Sequence, residues 1–125
     1  MGYTNYWYQK RAFTDEEWSK IRRYFVNRFC NTCYEGKVDI DVTENSDKVL
    51  QFNGQDSQSC ETFTLHKNIR EPRYEDENVI FNCCKTRQHP YDEVVWKLLK
   101  FIKFVVLEPK DKSFSISNDN GDSYE

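Results

Sequence analysis

The segment Cys83–Pro90 brings together residue types that bind phosphate in many proteins. Lys85, Thr86 and Arg87 follow a β-prone apolar stretch, and Pro90 suits the first turn of an apolar helix. A helix N-terminus presents unpaired N–H groups and the positive end of the helix dipole, and an arginine can hold a phosphate through two hydrogen bonds. We therefore predict that this segment binds an anion. The alternative is an ordinary capped helix beside two solvated cations.

An aromatic run near the start of the chain could supply a surface for stacking. The run consists of Tyr3, Tyr6, Trp7 and Tyr8. Because side chains alternate along a strand, Tyr6 and Tyr8 face one side and the other two residues face the opposite side. One set must pack beneath the helices, whereas the other could stack a base, as aromatic side chains do in single-strand and nucleotide binders. For any single residue, cross-strand aromatic packing is the alternative.

The five cysteines do not predict a metal or redox centre. Their number is odd and the opening residues do not resemble a secretion signal, so we expect reduced thiols in the cytoplasm. Cys30 and Cys33 have the CxxC spacing, but no second pair completes a zinc site. We therefore predict no metal and no cofactor, with cysteines that pack as small apolar residues. Metal binding by Cys30, Cys33, Cys83 or Cys84 stays open.

Size and charge limit the class of protein. The chain has 125 residues, which is enough for one domain and too few for two ordinary ones. Its net charge of −3 argues against a protein that coats DNA or RNA, because such binding depends on neutralising phosphates. The longest apolar stretch is interrupted by Lys97, Lys100 and Lys103, which we expect to be solvated, so it does not predict a membrane span.

Hydrophobic periodicity predicts two helices and about six strands. Thr14 and Glu17 have the spacing of a capping box, which starts a helix that ends near Cys30. Pro90 opens the second helix and Pro109 stops it. The predicted strands are 3–9, 38–42, 49–52, 62–65, 79–83 and 114–117.

The order of these elements predicts an α+β fold, with one antiparallel or mixed sheet of about five or six strands and two helices packed on one face. We expect a single domain over 1–117, an acidic C-terminal tail over 118–125 and a long polar loop over 67–78. The second helix, 91–107, is apolar around most of its circumference, so we expect it to mediate homo-oligomerisation.

Several segments resemble those of a family of small phage and bacterial proteins. Members open with Met-Gly-Tyr-Thr-His-Tyr-Trp and carry Phe-Asn-Gly, Glu-Thr-Phe, Cys-Lys-Thr and Pro-Tyr-Asp motifs. Asn5 replaces the family's histidine, and Asn82 and Cys83 separate Phe81 from the Cys-Lys-Thr run, which directly follows a phenylalanine in the family. The resemblance implies a phage protein that counters host defence, in some cases by sequestering a nucleotide immune signal. The matching stretches are Met1–Trp7, Phe52–Gly54, Glu61–Phe63, Phe81–Thr86, Pro90–Asp92 and Ser115–Asp119.

Together these features predict a cytoplasmic module that binds a small anionic, nucleotide-derived ligand. Lys85, Thr86 and Arg87 would hold the phosphate, and the aromatic run would stack the base. A pocket needs only local positive potential, so the net charge does not oppose this function. We expect neither extended nucleic acid nor a membrane as partner.

Three further polar residues, Asn5, Asn53 and Glu61, would hydrogen-bond the base or the sugar of this ligand. Two other functions stay open. One is a hydrolase or phosphodiesterase that acts on the same nucleotide, against which Asn5 counts because an amide does not exchange protons near neutral pH. The other is an interaction module that inhibits a host protein through its aromatic surface.

Overall fold

The computed structural model describes residues 3–30, 38–69 and 80–125. Met1, Gly2, Cys33 and most of the expected 67–78 loop lie outside these ranges. Five-residue π-helical turns extend the first helix over Val26–Cys30 and the second over Ile102–Val106. The elements are β1 (Thr4–Gln9), α1 (Asp15–Phe25), β2 (Ile40–Asn45), β3 (Val49–Gly54), β4 (Phe63–His66), β5 (Ile80–Lys85), α2 (Tyr91–Phe101), β6 (Phe114–Asn118) and β7 (Ser123–Tyr124), with a 3₁₀ turn at Asp56–Gln58.

The strands form two antiparallel sheets, one with the order β5-β1-β6-β7 and one with the order β2-β3-β4. The α+β class is therefore confirmed, whereas the prediction of a single sheet of five or six strands is wrong. β5 pairs with β1, where Asn82 lies opposite Trp7, instead of continuing the sheet that ends in β4. Alternation along a strand indicates which side is buried, but it does not identify the neighbouring strand.

A run of aromatic rings joins the two sheets to α1. Trp7 of β1 lies 5.0 Å from Phe63 of β4, measured between ring centroids. Phe52 of β3 lies 4.9 Å from Phe63 and 5.1 Å from Phe25 of α1. All four rings are buried. Tilted and offset ring pairs of this kind add ~0.5–1.5 kcal/mol each beyond the burial of their area, so this run fixes one sheet against the other.

Helix α1 begins where the sequence predicts it. The Thr14 hydroxyl accepts a hydrogen bond from the Glu17 N–H (3.1 Å), and the Glu17 carboxylate accepts one from the Thr14 N–H (2.8 Å), so the capping box is confirmed. Trp18, Ile21 and Phe25 form its buried face. Among the residues that the structure describes, neither helix has the length and apolar character that crossing a bilayer requires.

The end of α2 corrects the expectation for Lys103. This side chain is buried instead of solvated, and its Nζ donates to the carbonyl oxygens of Asp111 and Phe114, both at 2.7 Å. The π-helical turn explains the change, because each residue of such a turn advances by a smaller angle than in an α-helix and Lys103 is rotated towards the buried side. Desolvation lowers the pKa of Lys103.

Most of the apolar surface of α2 is covered by the chain itself, since residues such as Val94, Leu98 and Leu99 are at most 1% exposed. The exposed apolar residues at its end are Phe104 and Val105, at 39% and 64%. Homo-oligomerisation through 91–107 stays a prediction. The exposed apolar surface that supports it is that of Phe104 and Val105.

The segment expected to be an acidic tail folds back as part of the sheet. The Asn118 side-chain oxygen accepts hydrogen bonds from the N–H groups of Asn120 and Asp122, and Gly121 adopts a φ of 91° that favours glycine. This turn leads into β7, which pairs with β6. The Tyr124 ring then packs against two rings of the second helix, Trp96 at 6.3 Å and Phe104 at 4.9 Å.

We expect Gly54→Ala to destabilise the fold by ~1–3 kcal/mol through overpacking. A Cβ atom at position 54 would lie 2.3 Å from the Gln58 carbonyl oxygen and 2.9 Å from Cδ1 of Tyr91. The measurement is the free energy of unfolding in urea. Ser57→Ala changes an exposed residue of the same loop and is the control. Equal stability of the two variants would contradict the steric argument.

Arg11 links the start of α1 to the turn before β6. Its guanidinium donates to both carboxylate oxygens of Glu17, at 2.8 and 3.0 Å, and to Asp111 at 3.2 Å. The hydrogen bond from Arg11 lowers the pKa of Glu17. Hydrogen bonds from Ser113, and then from Arg11, lower the pKa of Asp111.

Arg11→Gln should flatten the acid dependence of stability. Because both folded carboxyl pKa values lie below those of the unfolded chain, their contribution is complete above an unfolded pKa of about 4 and is lost as the pH falls through the folded pKa. Urea unfolding at about pH 7 and about pH 3 measures the difference. Lys10→Gln makes the same charge change at the neighbouring position and is the control. If the free energy of unfolding of Arg11→Gln depends on pH as steeply as that of Lys10→Gln, the linkage is refuted.

Candidate functional site

Residues of β1, the end of β5 and the start of α2 meet where β5 leads into α2. The backbone N–H groups of Thr86 and Arg87 both donate to the Tyr3 carbonyl oxygen, at 2.9 and 3.3 Å. Arg87 and Gln88 both adopt left-handed backbone angles, with φ of 55° and 57°. Two consecutive non-glycine residues in this conformation store strain, which is found most often at functional sites. We call residues 86–92 the α2 corner.

A hydrogen-bond network around the half-buried Asp92 carboxylate holds the α2 corner together. Oδ1 of Asp92 accepts hydrogen bonds from the Asn5 amide and the Thr86 hydroxyl, both at 2.6 Å. Asn5 and Thr86 are completely buried. Asp92 also places a negative charge in the first turn of α2, where it interacts favourably with the helix dipole. The chain's own carboxylate thus occupies the place predicted for a phosphate, and the Thr86 hydroxyl is engaged by it.

Asn53 and Glu61 hold backbone segments in place. The Asn53 side chain accepts from the N–H groups of Gly54 and Cys60 and donates to the Cys60 carbonyl, so it closes the loop between them. The Glu61 carboxylate accepts from the Lys85 N–H at 2.7 Å, and its own N–H donates to the Lys85 carbonyl at 3.0 Å. Glu61 thus fastens the end of β5 and Asn53 fastens the 54–60 loop, and both tasks are structural.

The aromatic run divides as strand alternation requires. Trp7 is 1% exposed and belongs to the ring cluster of the core, so it has no face open for a base. Tyr6 and Tyr8 lie on the opposite, open face of the four-stranded sheet, where Lys85 is paired with Thr4. Tyr6 donates its hydroxyl hydrogen to Asp119 at 2.8 Å. Lys85 therefore shares this sheet face with Tyr6 and Tyr8, and the stacking of a base there stays a prediction. Tyr3 is half-buried next to the start of the strand.

The two thiols of this region differ in exposure, since Cys84 is buried and Cys83 is exposed. Burial, followed by the negative charge of Glu61, raises the pKa of Cys84 to about 12, so it remains a thiol at neutral pH. Desolvation also raises the pKa of Cys83. Within the described ranges, no group of three or more His, Cys, Asp or Glu residues is placed to hold a metal ion, and Cys33 lies outside them.

A cavity of about 420 Å³ lies beside the α2 corner, along the exposed side of α2. We call it the α2 cavity. Its walls include Gln88, His89, Asp92, Trp96, Lys97 and Lys100. His89 is fixed there by contact of its Nδ1 with the Gln58 carbonyl oxygen at 3.0 Å. The sequence did not identify Trp96 and Lys100 as site residues. The available signal was that both lie outside the main apolar face of the helix.

Comparisons of the chain with protein-family models, with curated proteins and with solved structures found no match. The function of the α2 cavity therefore has to be inferred from its own chemistry.

We expect Asn5→Ala to destabilise the protein by ~1–3 kcal/mol, because Asp92 loses a buried donor. A double-mutant cycle with Asp92→Ala, followed by urea unfolding, should give a coupling of ~0.5 kcal/mol or more between the two positions. Asn120→Ala removes an exposed amide and is the matched control. Additive effects of the two changes would show that the hydrogen bond contributes nothing measurable.

Proposed function

We propose that the protein binds a small anionic, nucleotide-derived ligand in the α2 cavity. One observation carries the proposal: Asp92, Trp96 and Lys100 line the cavity and recur every four residues, so they share one face of α2. This face presents an acceptor, an aromatic ring and a cation in a row. The acceptor can bind a sugar hydroxyl or a base amino group, the ring can stack on the plane of a base, and the cation can bind a phosphate. The cavity volume is within the usual range for small-molecule sites.

The cations that line the α2 cavity are Lys97 and Lys100, and Lys100 supplies the charge for a phosphate. Lys100 forms no ion pair with any described residue, whereas the neighbouring Lys97 pairs with Glu93. Arg87 precedes the wall residue Gln88 and adds a cation at the corner end. A cation without a carboxylate partner gives up less on binding a phosphate, because no existing ion pair has to be broken.

Asp92 sets the orientation of the proposed ligand. Only its Oδ1 accepts from Asn5 and Thr86, and its second oxygen has no hydrogen bond within the described part of the chain. That oxygen can accept from a ribose hydroxyl or a base amino group, while the negative charge keeps phosphate towards Lys100. Thr86 therefore supports the proposed site by holding Asp92. The sequence had instead suggested that Thr86 contacts the phosphate directly.

These groups are better suited to recognition than to cleavage. Asp92 is held by two donors, and His89 is tied to a backbone carbonyl, so both are arranged as fixed hydrogen-bonding partners. Capture without cleavage is what sequestration of a host nucleotide signal would need, which is the anti-defence role implied by the resemblance to phage proteins. We include that role, in a cytoplasmic setting, in the proposal.

Lys100→Gln should weaken nucleotide binding about tenfold, since a hydrogen bond to a charged group contributes ~1.5 kcal/mol or more. A panel of mono-, di- and cyclic nucleotides is screened by thermal shift, and the binders are measured by calorimetry. Lys110→Gln removes an exposed lysine outside the cavity and is the control. Unchanged affinity in Lys100→Gln, or no binding of any nucleotide to the wild type, would overturn the proposal.

Two further arms separate the alternatives. If Lys85→Gln abolishes binding and Lys100→Gln does not, the ligand lies on the open sheet face with Tyr6 and Tyr8, and the α2 cavity is excluded. Ligand released by heating the complex is identified by mass spectrometry: intact nucleotide supports capture, and cleavage products support the hydrolase. Arg87→Gln tests the second cation in the same assay.

A further inference from the structure

A second groove lies between α1 and α2, on residues that the proposed function does not use. Its volume is about 370 Å³, and we call it the interhelix groove. Three of its wall residues are cations and none is a carboxylate, although the whole chain has a net charge of −3. The walls are Lys20, Arg23, Tyr24, Asn27, Arg28 and Phe101.

The cations follow from the spacing of α1. Arg23, Tyr24 and Asn27 stand three, four and seven residues after Lys20, so they lie on one side of the helix, away from the buried face. Arg28 continues this side, and its guanidinium lies 5.9 Å from the centre of the Phe29 ring. One stripe of α1 therefore supplies every groove residue except Phe101.

Two of these cations lack carboxylate partners. The side chains of Lys20 and Arg23 form no hydrogen bond or ion pair with the described residues. In contrast, the adjacent Arg22 donates to Asn45 and Asp47, and Arg11 is held by two carboxylates. Positive charge that is not neutralised by neighbours produces a local potential that attracts anions despite the net negative charge of the chain.

The apolar wall of the groove is a stacked ring pair. The Tyr24 and Phe101 rings lie 3.8 Å apart at an interplanar angle of 7°. The Phe29 ring meets Tyr24 edge-on at 5.6 Å, whereas Phe101 contacts no further ring among the described residues. A planar ligand placed against Phe101 would extend an existing stack, and base stacking on an aromatic side chain contributes ~1–3 kcal/mol.

We propose that the interhelix groove is a second site, which binds a phosphate group attached to a planar base. Lys20 and Arg23 hold the phosphate, and Tyr24 with Phe101 packs against the base. The volume suits one nucleotide unit. This unit can come from a free nucleotide or from a nucleotide within a single strand, since both present the same two groups. The groove shares no wall residue with the α2 cavity, so it stands or falls independently of the proposed function.

The test uses the full chain with the α2 cavity weakened by Lys100→Gln, so that the groove variants are compared in one background. Calorimetry is performed with ATP, with inorganic triphosphate and with a short oligothymidylate. We expect binding to persist in this background and to fall about tenfold when Arg23→Ala is added, with a smaller fall for Lys20→Ala. Lys110→Ala is the control for the loss of one exposed positive charge.

The ring contribution is tested separately. ATP should bind more tightly than inorganic triphosphate, and Phe101→Leu should remove that preference. The thermal stability of Phe101→Leu should be no lower than that of Tyr24→Leu. Binding of the oligothymidylate alone identifies a strand as the source, and binding of ATP identifies a free nucleotide. Affinity that is unchanged by both Arg23→Ala and Lys20→Ala would overturn the proposal. So would equal affinity for ATP and triphosphate when the oligothymidylate does not bind either.

Discussion

The two short hydrogen bonds that Oδ1 of Asp92 accepts from Asn5 and Thr86 are the constraint on which the α2 corner and the α2 cavity depend. They connect the first strand, the turn after β5 and the first turn of α2 at one buried atom. Without them, the left-handed turn at Arg87 and Gln88 would keep its backbone hydrogen bonds to the Tyr3 carbonyl oxygen, but the α2 cavity would lose the orientation of its acidic wall. Oδ1 of Asn5 is buried with no hydrogen-bond partner in the described structure, so the network is kept even though one polar atom is left unsatisfied.

The course of the chain could be predicted from the sequence where local chemistry decides it. The capping box of Thr14 and Glu17, the proline before α2 and the apolar spacing of both helices place these elements within a few residues. The division into two sheets could not be predicted, because alternation reports burial and the partner of β5 is set by contacts over long range. Lys103 was missed for a related reason, since a π-helical turn changes the helical period that the prediction assumes.

The candidate site was harder to predict than the fold, because a polar residue type does not reveal whether it serves the chain or a ligand. Asn5, Asn53, Thr86 and Glu61 have the chemistry of ligand contacts, but their hydrogen bonds satisfy the backbone and one carboxylate. Trp96 and Lys100 appear ordinary in the sequence and become candidates only when the cavity beside α2 is seen. Location in the fold, more than residue type, separates these two groups.

The two-residue strand β7 controls how the larger sheet ends. It covers β6 only at Ile116 and Ser117, and the ring of Tyr124 fastens it to the side of the second helix. An uncovered strand edge is a template for pairing with another chain, and nature commonly protects such edges with a short strand or a bulky side chain. Tyr124 belongs to the short strand and also supplies the bulky side chain. Its replacement by a small residue would therefore expose the backbone of β6 and favour edge-to-edge aggregation.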